Sequence, residues 1–281
     1  MTTGAFVSTT CLADCGYAET LDAYRDVGIE RVELGYCPDP LDVGEIVDSY
    51  PFEFVAHNYC LPTDDEFILN LASQDDSIRR RSVRYIEDAI EFCDRHGIDL
   101  YSFHAGFRVD PTLSLVFSGT DIPDYETSFE TFVMSLCEIV EFAASYDVSL
   151  AVENNVVAPR NVADGDPLLL CAEPGEFERL FERVGGDRLS ALLDVGHLKI
   201  SARTLGFDAA RFVDEVAPRV TAVHLHANDG SADQHRPSRP GDVTHAFYRR
   251  FPDATTSVEA SFATATRLRE YLDSLTSPTP T

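Results

Sequence analysis

The segment HLHANDGSADQH, residues 224–235, holds three of the eight histidines of the chain together with two aspartates. His224 and His226 alternate along the end of an apolar run, VTAV, and Asp233 and His235 follow in a polar stretch. Imidazole and carboxylate groups are the usual protein ligands of zinc, manganese and cobalt. The segment is therefore either a histidine-rich loop or one wall of a metal site.

Other imidazole and carboxylate side chains follow short apolar runs elsewhere in the chain. They come at or just after the predicted ends of strands, and they are Glu33, His57, His104, Glu153, Asp194, His197 and Glu259. If the carboxylates converged without a cation, they would repel one another or stay protonated, whereas a bound divalent ion removes that repulsion. Any one of these histidines could be structural, but the set as a whole predicts a metal site.

Short runs rich in β-branched and apolar residues alternate with amphipathic segments of helical period. We predict strands at 5–9, 31–35, 52–57, 100–106, 150–154, 190–197, 220–227 and 255–260. The predicted helices are 19–27, 41–49, 76–95, 125–146, 174–184, 209–216, 244–251 and 264–275. This alternation predicts the α/β class and a single (β/α)8 TIM barrel over residues 1–276, with a flexible tail at 277–281. Since barrels keep their chemistry at the carboxyl ends of the strands, the polar residues should meet at that rim.

Composition narrows the expected partners. The formal net charge is −26, and Lys199 is the only lysine. An acidic surface repels phosphate backbones, so nucleic acid is a less expected partner without being excluded, and a lysine-poor acidic surface is typical of extreme halophiles. No apolar run approaches the roughly 18 residues of a membrane span, and no secretory signal is visible, so we expect a cytoplasmic protein without a membrane partner. The seven cysteines are scattered and odd in number, which favours reduced thiols.

Several segments, taken in order, resemble the xylose isomerase-like barrel superfamily, which includes endonuclease IV. LAVENN, LLDVGH, HLHANDGSADQH and SVEA resemble its metal-binding motifs, while HNYCLPTDDEFILNLAS and FHAG resemble stretches of endonuclease IV. The resemblance covers the chain from the second predicted strand onward. Two segments depart from it. RPSRPGDV stands where the family often has a G-E-G turn, and ENNVVAPRNVADGDP is closer to sugar isomerase-like barrels associated with surface-glycan pathways.

The resemblance implies two ligand sets. Isomerases and epimerases of the superfamily hold one divalent ion (manganese, cobalt, magnesium or zinc) on residues that match Glu153, Asp194, His226 and Glu259. Endonuclease IV holds three zinc ions, and its further ligands match His57, His104, His197, Asp233 and His235.

Three functions are open at this point. The favoured one is a sugar, sugar-phosphate or sugar-acid isomerase or epimerase that acts through an enediolate, with Glu153 and Glu259 as the catalytic acid and base. Its small-molecule substrate would contact Glu33, His224 and Arg236, although Glu33 could be a rim charge and His224 could support a ligand instead. The alternatives are an endonuclease IV-like trinuclear-zinc phosphodiesterase that acts on abasic DNA, and a non-catalytic barrel in glycan assembly. We also expect that the protein could form a homodimer.

Overall fold

The structure is a computed structural model that describes residues 4–12, 15–36, 41–63, 65–117 and 121–276. Its strands are β1 (Phe6–Ser8), β2 (Arg31–Leu34), β3 (Glu53–His57), β4 (Leu100–His104), β5 (Ser149–Glu153), β6 (Val162–Ala163), β7 (Asp166–Pro167), β8 (Leu189–Asp194), β9 (Val220–Leu225) and β10 (Thr255–Val258). Strands β6 and β7 pair as a short antiparallel hairpin. The other strands close into a parallel barrel in the order β1-β2-β3-β4-β5-β8-β9-β10, in which β10 pairs with β1. The predicted TIM barrel is confirmed, while the predicted tail lies outside the described residues.

The helices surround this barrel. They are α1 (Tyr17–Asp26), α2 (Val43–Ser49), α3 (Asp76–His96), α4 (Tyr125–Ala143), α5 (Glu176–Val184), α6 (Val195–Leu205), α7 (Ala209–Val216), α8 (Val243–Tyr248) and α9 (Ala265–Thr276). None of these described helices is both long and apolar enough to cross a membrane. All the predicted helices are present with small shifts in their bounds, and α6 is an addition.

Helix α6 corrects the prediction that a strand runs through residues 190–197. The strand ends at Asp194, whose side chain accepts a hydrogen bond from the backbone N–H of His197 and so caps α6. The apolar run suggested a longer strand because Val195 and Leu198 are buried on the helix that follows. As a result His197 lies in the first turn of a helix.

The pleat of the strands places the predicted site directly above an apolar layer. Ala151, Leu192 and Ala222 form a small buried cluster of their own, separate from the main core. Side chains two residues apart share a strand face. The next layer on the same face is therefore Glu153, Asp194 and His224. The large apolar cluster packs between the outer faces of the strands and the helices, so it holds the barrel closed without filling the mouth.

The loop that follows β4 and the loop that follows β5 pack together beside the mouth. A small apolar cluster, separate from the main core, consists of Phe107, Val157, Leu168, Leu169 and Ala172. The backbones of Phe107 and Leu169 also pair in an isolated antiparallel β-bridge. Asn155 ties these loops together, because its side-chain amide donates to the carbonyls of Ala105, Gly106 and Leu170.

Candidate metal centre

The structure gathers almost all of the predicted site residues at the carboxyl end of the barrel. We call the following residues the rim cluster: Glu33, His57, His104, Glu153, Asp194, His197, His224, His226, Asp233, His235 and Glu259. Strand ends supply some members, the first turn of α6 supplies His197, and the loop after β9 supplies Asp233 and His235. The predicted substrate-binding residue Arg236 stands apart. Its guanidinium lies 3.6 Å from Asp229, and its side chain is 58% exposed.

Glu153 lies between two histidines from neighbouring strands. Its Oε2 is 3.0 Å from Nδ1 of His104 and 3.4 Å from Nε2 of His57. Neither contact has hydrogen-bond geometry, and Oε1 has no hydrogen-bond partner either, so this fully buried carboxylate is unpaired. Nδ1 of His57 lies 2.9 Å from Oγ of Ser102, which donates to the carbonyl of Ala56. The His57 proton is therefore on Nδ1, and the lone pair of Nε2 faces Glu153.

Asp194 connects the cluster to the barrel wall and to α6. Its Oδ1 accepts from the N–H of His197, and its Oδ2 lies 2.9 Å from Nε2 of His226. The Asn154 side chain holds the Asp194 backbone on both sides, because it donates to the carbonyl and accepts from the N–H. Both oxygens of Asp194 are thus fixed in direction. Glu259 has a ligand atom within 4.8 Å of those of Asp194 and His226.

A third arrangement joins His197, Asp233 and His235, which we call the His–Asp–His group. Nδ1 of His197 bonds the carbonyl of Asn154, and Nδ1 of His235 bonds the carbonyl of Glu259. Each ring therefore turns Nε2 towards Oδ2 of Asp233, at 3.2 and 3.0 Å. Histidine ligands of metals are commonly oriented by hydrogen bonds of this kind to backbone carbonyls.

Glu33 and His224 form a buried pair inside the barrel. Nε2 of His224 lies 3.0 Å from Oε2 of Glu33, and the side chains are 1% and 3% exposed. Glu33 is therefore not an exposed rim charge. On its other side, Nδ1 of His224 lies 3.2 Å from Oε2 of Glu259 and 3.5 Å from Oε1 of Glu153.

The pKa shifts in the cluster reflect competition between burial and neighbouring charge. Burial lowers the pKa of His57 to about 3. Burial alone would raise the pKa of Glu153, but His104 and His224 hold it well below its usual range. In the same way, burial would lower the pKa of His224, and the Glu259 and Glu33 carboxylates raise it well above its usual value.

The donor set fits bound divalent cations. Both carboxylate oxygens of Glu153 and Oδ1 of Asp233 are buried without a hydrogen bond, and so are the Nδ1 atoms of His104, His224 and His226. Unpaired buried polar groups of this kind are costly unless something completes their coordination. Groups of three or four ligand atoms from the cluster lie within 4.8 Å of one another. Nitrogen and oxygen donors at such spacing suit zinc, cobalt or manganese.

Two glycines that were not predicted as site residues support the site. A Cβ at Gly106 would lie 2.6 Å from that of Ala72, so the FHAG and NLAS segments are in contact at this point. A Cβ at Gly196 would collide with the His226 ring. The glycines in FHAG and LLDVGH were the available signals. Ser102 was also missed, although it shares a strand face with His104.

The chain is similar to a known protein family, to other proteins in sequence and to solved structures in fold. The model of a family described as xylose isomerase-like TIM barrel matches residues 21–255. The uncharacterized protein MJ1614 of Methanocaldococcus jannaschii is 24% identical over 212 residues, which are 74% of this chain and 70% of that protein. The structure of a D-tagatose 3-epimerase-like protein has a TM-score of 0.70 and 21% identity, and the match covers 97% of this chain and 98% of that one. An AP endonuclease of family 2 from Brucella melitensis has a TM-score of 0.65 and 14% identity, with 93% and 94% covered. At these identities the structural matches show a shared fold.

Proposed function

Because the chain belongs to the xylose isomerase-like TIM barrel family, we propose that it is a divalent-metal-dependent isomerase or epimerase of a sugar, sugar phosphate or sugar acid. One observation carries this proposal. Glu153 and Glu259 come from non-adjacent barrel strands and approach the same nitrogen, Nδ1 of His224, at 3.5 and 3.2 Å. Two carboxylates around one small space suit a reaction in which one group removes a proton and the other returns it.

The residues of the site divide these tasks. Glu153 or Glu259 takes the proton from the carbon beside the substrate carbonyl, and the other carboxylate delivers a proton to the product. Asp194 and His226 join them as ligands, because Asn154 and the α6 cap already fix the direction of Asp194. A bound divalent ion would supply Lewis-acid stabilisation of the charge that develops on the carbonyl and hydroxyl oxygens.

The accessible part of the rim cluster suits a hydroxyl-rich small molecule. His104, Asp233 and His235 have side chains 32%, 22% and 34% exposed, whereas Glu153 and Asp194 are fully buried. Polar groups at the mouth can bind substrate hydroxyls while the buried carboxylates remain shielded from water. A place in surface-glycan metabolism, a cytoplasmic location and a homodimer stay predictions from the sequence.

Hydrogen exchange at carbon tests this function directly. The protein is loaded in turn with manganese, cobalt, magnesium or zinc and incubated in D2O with a panel of ketoses, aldoses and their phosphates and acids. We expect deuterium to enter the carbon beside the carbonyl of at least one sugar. Glu153→Gln and Glu259→Gln should abolish the exchange, whereas Glu182→Gln on the exposed face of α5 should not. Absence of exchange with every metal and sugar class would contradict the proposal.

The His–Asp–His group favours a second candidate, the trinuclear-zinc phosphodiesterase. His197, Asp233 and His235 converge, and the proton transfers assigned to Glu153 and Glu259 do not require this arrangement. The net charge of −26 opposes DNA binding, because an acidic protein surface repels the phosphate backbone. Nicking of abasic duplex DNA by the zinc-loaded protein in high salt, lost on Asp233→Asn, would favour this candidate over the isomerase. We expect no such nicking.

A further inference from the structure

His224 is held by a hydrogen bond that fixes which nitrogen carries its proton. Nε2 lies 3.0 Å from Oε2 of Glu33, and both side chains are almost fully buried. An ionised carboxylate only accepts hydrogen bonds, so Nε2 is the protonated nitrogen and donates to Glu33. In the neutral ring this places the lone pair on Nδ1, on the side that faces the centre of the barrel mouth.

Nδ1 of His224 faces three carboxylates and bonds none of them. The nearest oxygens are those of Glu259, Glu153 and Asp194, at 3.2, 3.5 and 3.9 Å. None lies in a hydrogen-bonding direction, so Nδ1 is a buried nitrogen without a partner. A lone pair that faces three negative oxygens is unfavourable unless a positive species lies between them.

We propose that His224 is a metal ligand through Nδ1, at a cation position that it shares with His57 and Glu259. One ligand atom from each of the three lies within 4.8 Å of the others. His57 turns Nε2 inward because its Nδ1 bonds Ser102, and the two rings meet at 72° with their centroids 4.8 Å apart. Glu33 acts on this position through His224 and is a positioning residue.

This assignment adds a ligand that neither set implied by the resemblance contains. It also rests on the proposed function, since both require a resident divalent ion. A proton on Nδ1 would point at no carboxylate oxygen, whereas a metal ion can lie between the oxygens and bond several of them at once. A second imidazole beside Glu259 makes the position richer in nitrogen. The site should therefore prefer zinc, cobalt or manganese over magnesium, which prefers oxygen ligands.

Proton NMR of the cobalt(II)-loaded protein in water tests the ligand without any substrate. Each imidazole bound to cobalt keeps one exchangeable N–H, which gives a strongly shifted signal, and for His224 this is Nε2–H. We expect His224→Asn to remove one such signal and to weaken cobalt binding by about tenfold or more, the scale seen when oriented metal ligands are disturbed. His245→Asn on α8, outside the rim cluster, should leave every shifted signal in place.

A second measurement does not depend on the folding of a variant. In wild-type protein with nitrogen-15 histidine and bound zinc, His224 should show a protonated Nε2 and an unprotonated, metal-bound Nδ1. Two protonated nitrogens on His224 in the zinc-loaded protein would overturn the assignment, because the ring would then be a cation that replaces the metal at this position.

The outcomes separate this inference from the proposed function. If metal binds and sugar hydrogen exchange occurs while His224 stays unligated, only the inference fails. A chain that binds neither cobalt nor zinc refutes both together. A ligated His224 without any hydrogen exchange supports the metal position and refutes the isomerase.

Discussion

Gly196 leaves the space that the ring of His226 occupies. A Cβ added at Gly196 would lie 2.1 Å from Cε1 of His226 and 2.5 Å from its Nδ1. Gly196 is in the first turn of α6, between the capping Asp194 and His197. The LLDVGH segment therefore supplies two cluster residues and, through its glycine, room for a third from the next strand.

Replacing Gly196 with alanine should displace His226. In an exposed helix the change would favour folding by up to about 1 kcal/mol, because alanine is the better helix former. Here the collision is with a fully buried ring, so we expect lower stability and at least tenfold weaker zinc binding, comparable to disturbing oriented ligands. Chemical denaturation and metal titration measure the two effects. Gly16→Ala, where an added Cβ meets nothing within 4 Å, is the control, and equal behaviour of the two variants would contradict the steric role.

Asn154→Ala should loosen the junction between β5 and β8. The Asn154 side chain makes hydrogen bonds of 3.1 and 2.8 Å with the backbone of Asp194, and both residues are buried. Alanine would leave the buried N–H of Asp194 without its acceptor and take one donor from the buried carbonyl, at a cost of roughly 2 kcal/mol in unfolding free energy. Urea denaturation measures it. Gln74→Ala removes the hydrogen bonds of an exposed side-chain amide and should change stability by less than about 0.5 kcal/mol.

Local patterns in the sequence predicted most of the barrel and most of the rim cluster. Period-two alternation identified strands whose ends carry Glu153, Asp194 and Glu259, and the barrel then brings those ends together whatever their distance along the chain. The end of β8 was predicted wrongly, because Val195 and Leu198 at the start of α6 are apolar and extend the apolar run of the strand. Asp194, an N-cap residue type directly before the apolar Val195, was a helix-start signal that could have corrected it.

Contacts between distant residues could not be read from sequence pattern. Glu33 and His224 are separated by 191 positions, and nothing in either neighbourhood identifies the other as its partner. The direction of the Arg236 side chain could not be read from the sequence either. Its position directly after the Asp233–His235 segment suggested a substrate contact. The strand-like bridge between Arg236 and Ala227 fixes the backbone, while the side chain extends towards Asp229 and solvent.

The described cysteines should divide sharply in their reactivity. Cys15 and Cys137 are exposed, whereas Cys11, Cys93 and Cys171 are buried, and burial raises the pKa of each of these three thiols well above the usual value. Since the thiolate is the reactive form, brief treatment of native protein with iodoacetamide should label Cys15 and Cys137 first. Mass spectrometry locates the label. Rapid labelling of Cys11, which donates to the carbonyl of Val258, would contradict the closed barrel seen here.

Removing metal should destabilise the protein. The rim cluster buries Glu153, Asp194 and Glu33 together, and a bound cation offsets their repulsion. At a free zinc concentration 100 times Kd, binding to the native state alone contributes about 2.7 kcal/mol. We expect a chelator to lower Tm by several degrees and added zinc to restore it. In Asp194→Asn, which keeps the cap acceptor but loses a charge, the response to zinc should be much smaller. An equal response would place the stabilising ion elsewhere.

Salt should stabilise this chain. Forty-eight acidic residues face 22 basic ones, so repulsion outweighs the surface pairs that salt also weakens. Glu87 on α3 shows the local effect, because burial together with the neighbouring Asp88 and Glu138 carboxylates raises its pKa above the usual value. We expect Tm to rise between low and molar KCl, and Glu87→Gln to be stabilising at low salt and close to neutral at high salt. The exposed Glu182→Gln on α5 should respond less. A Tm that falls with KCl would show that the surface ion pairs, such as Arg179 with Glu126, outweigh the repulsion.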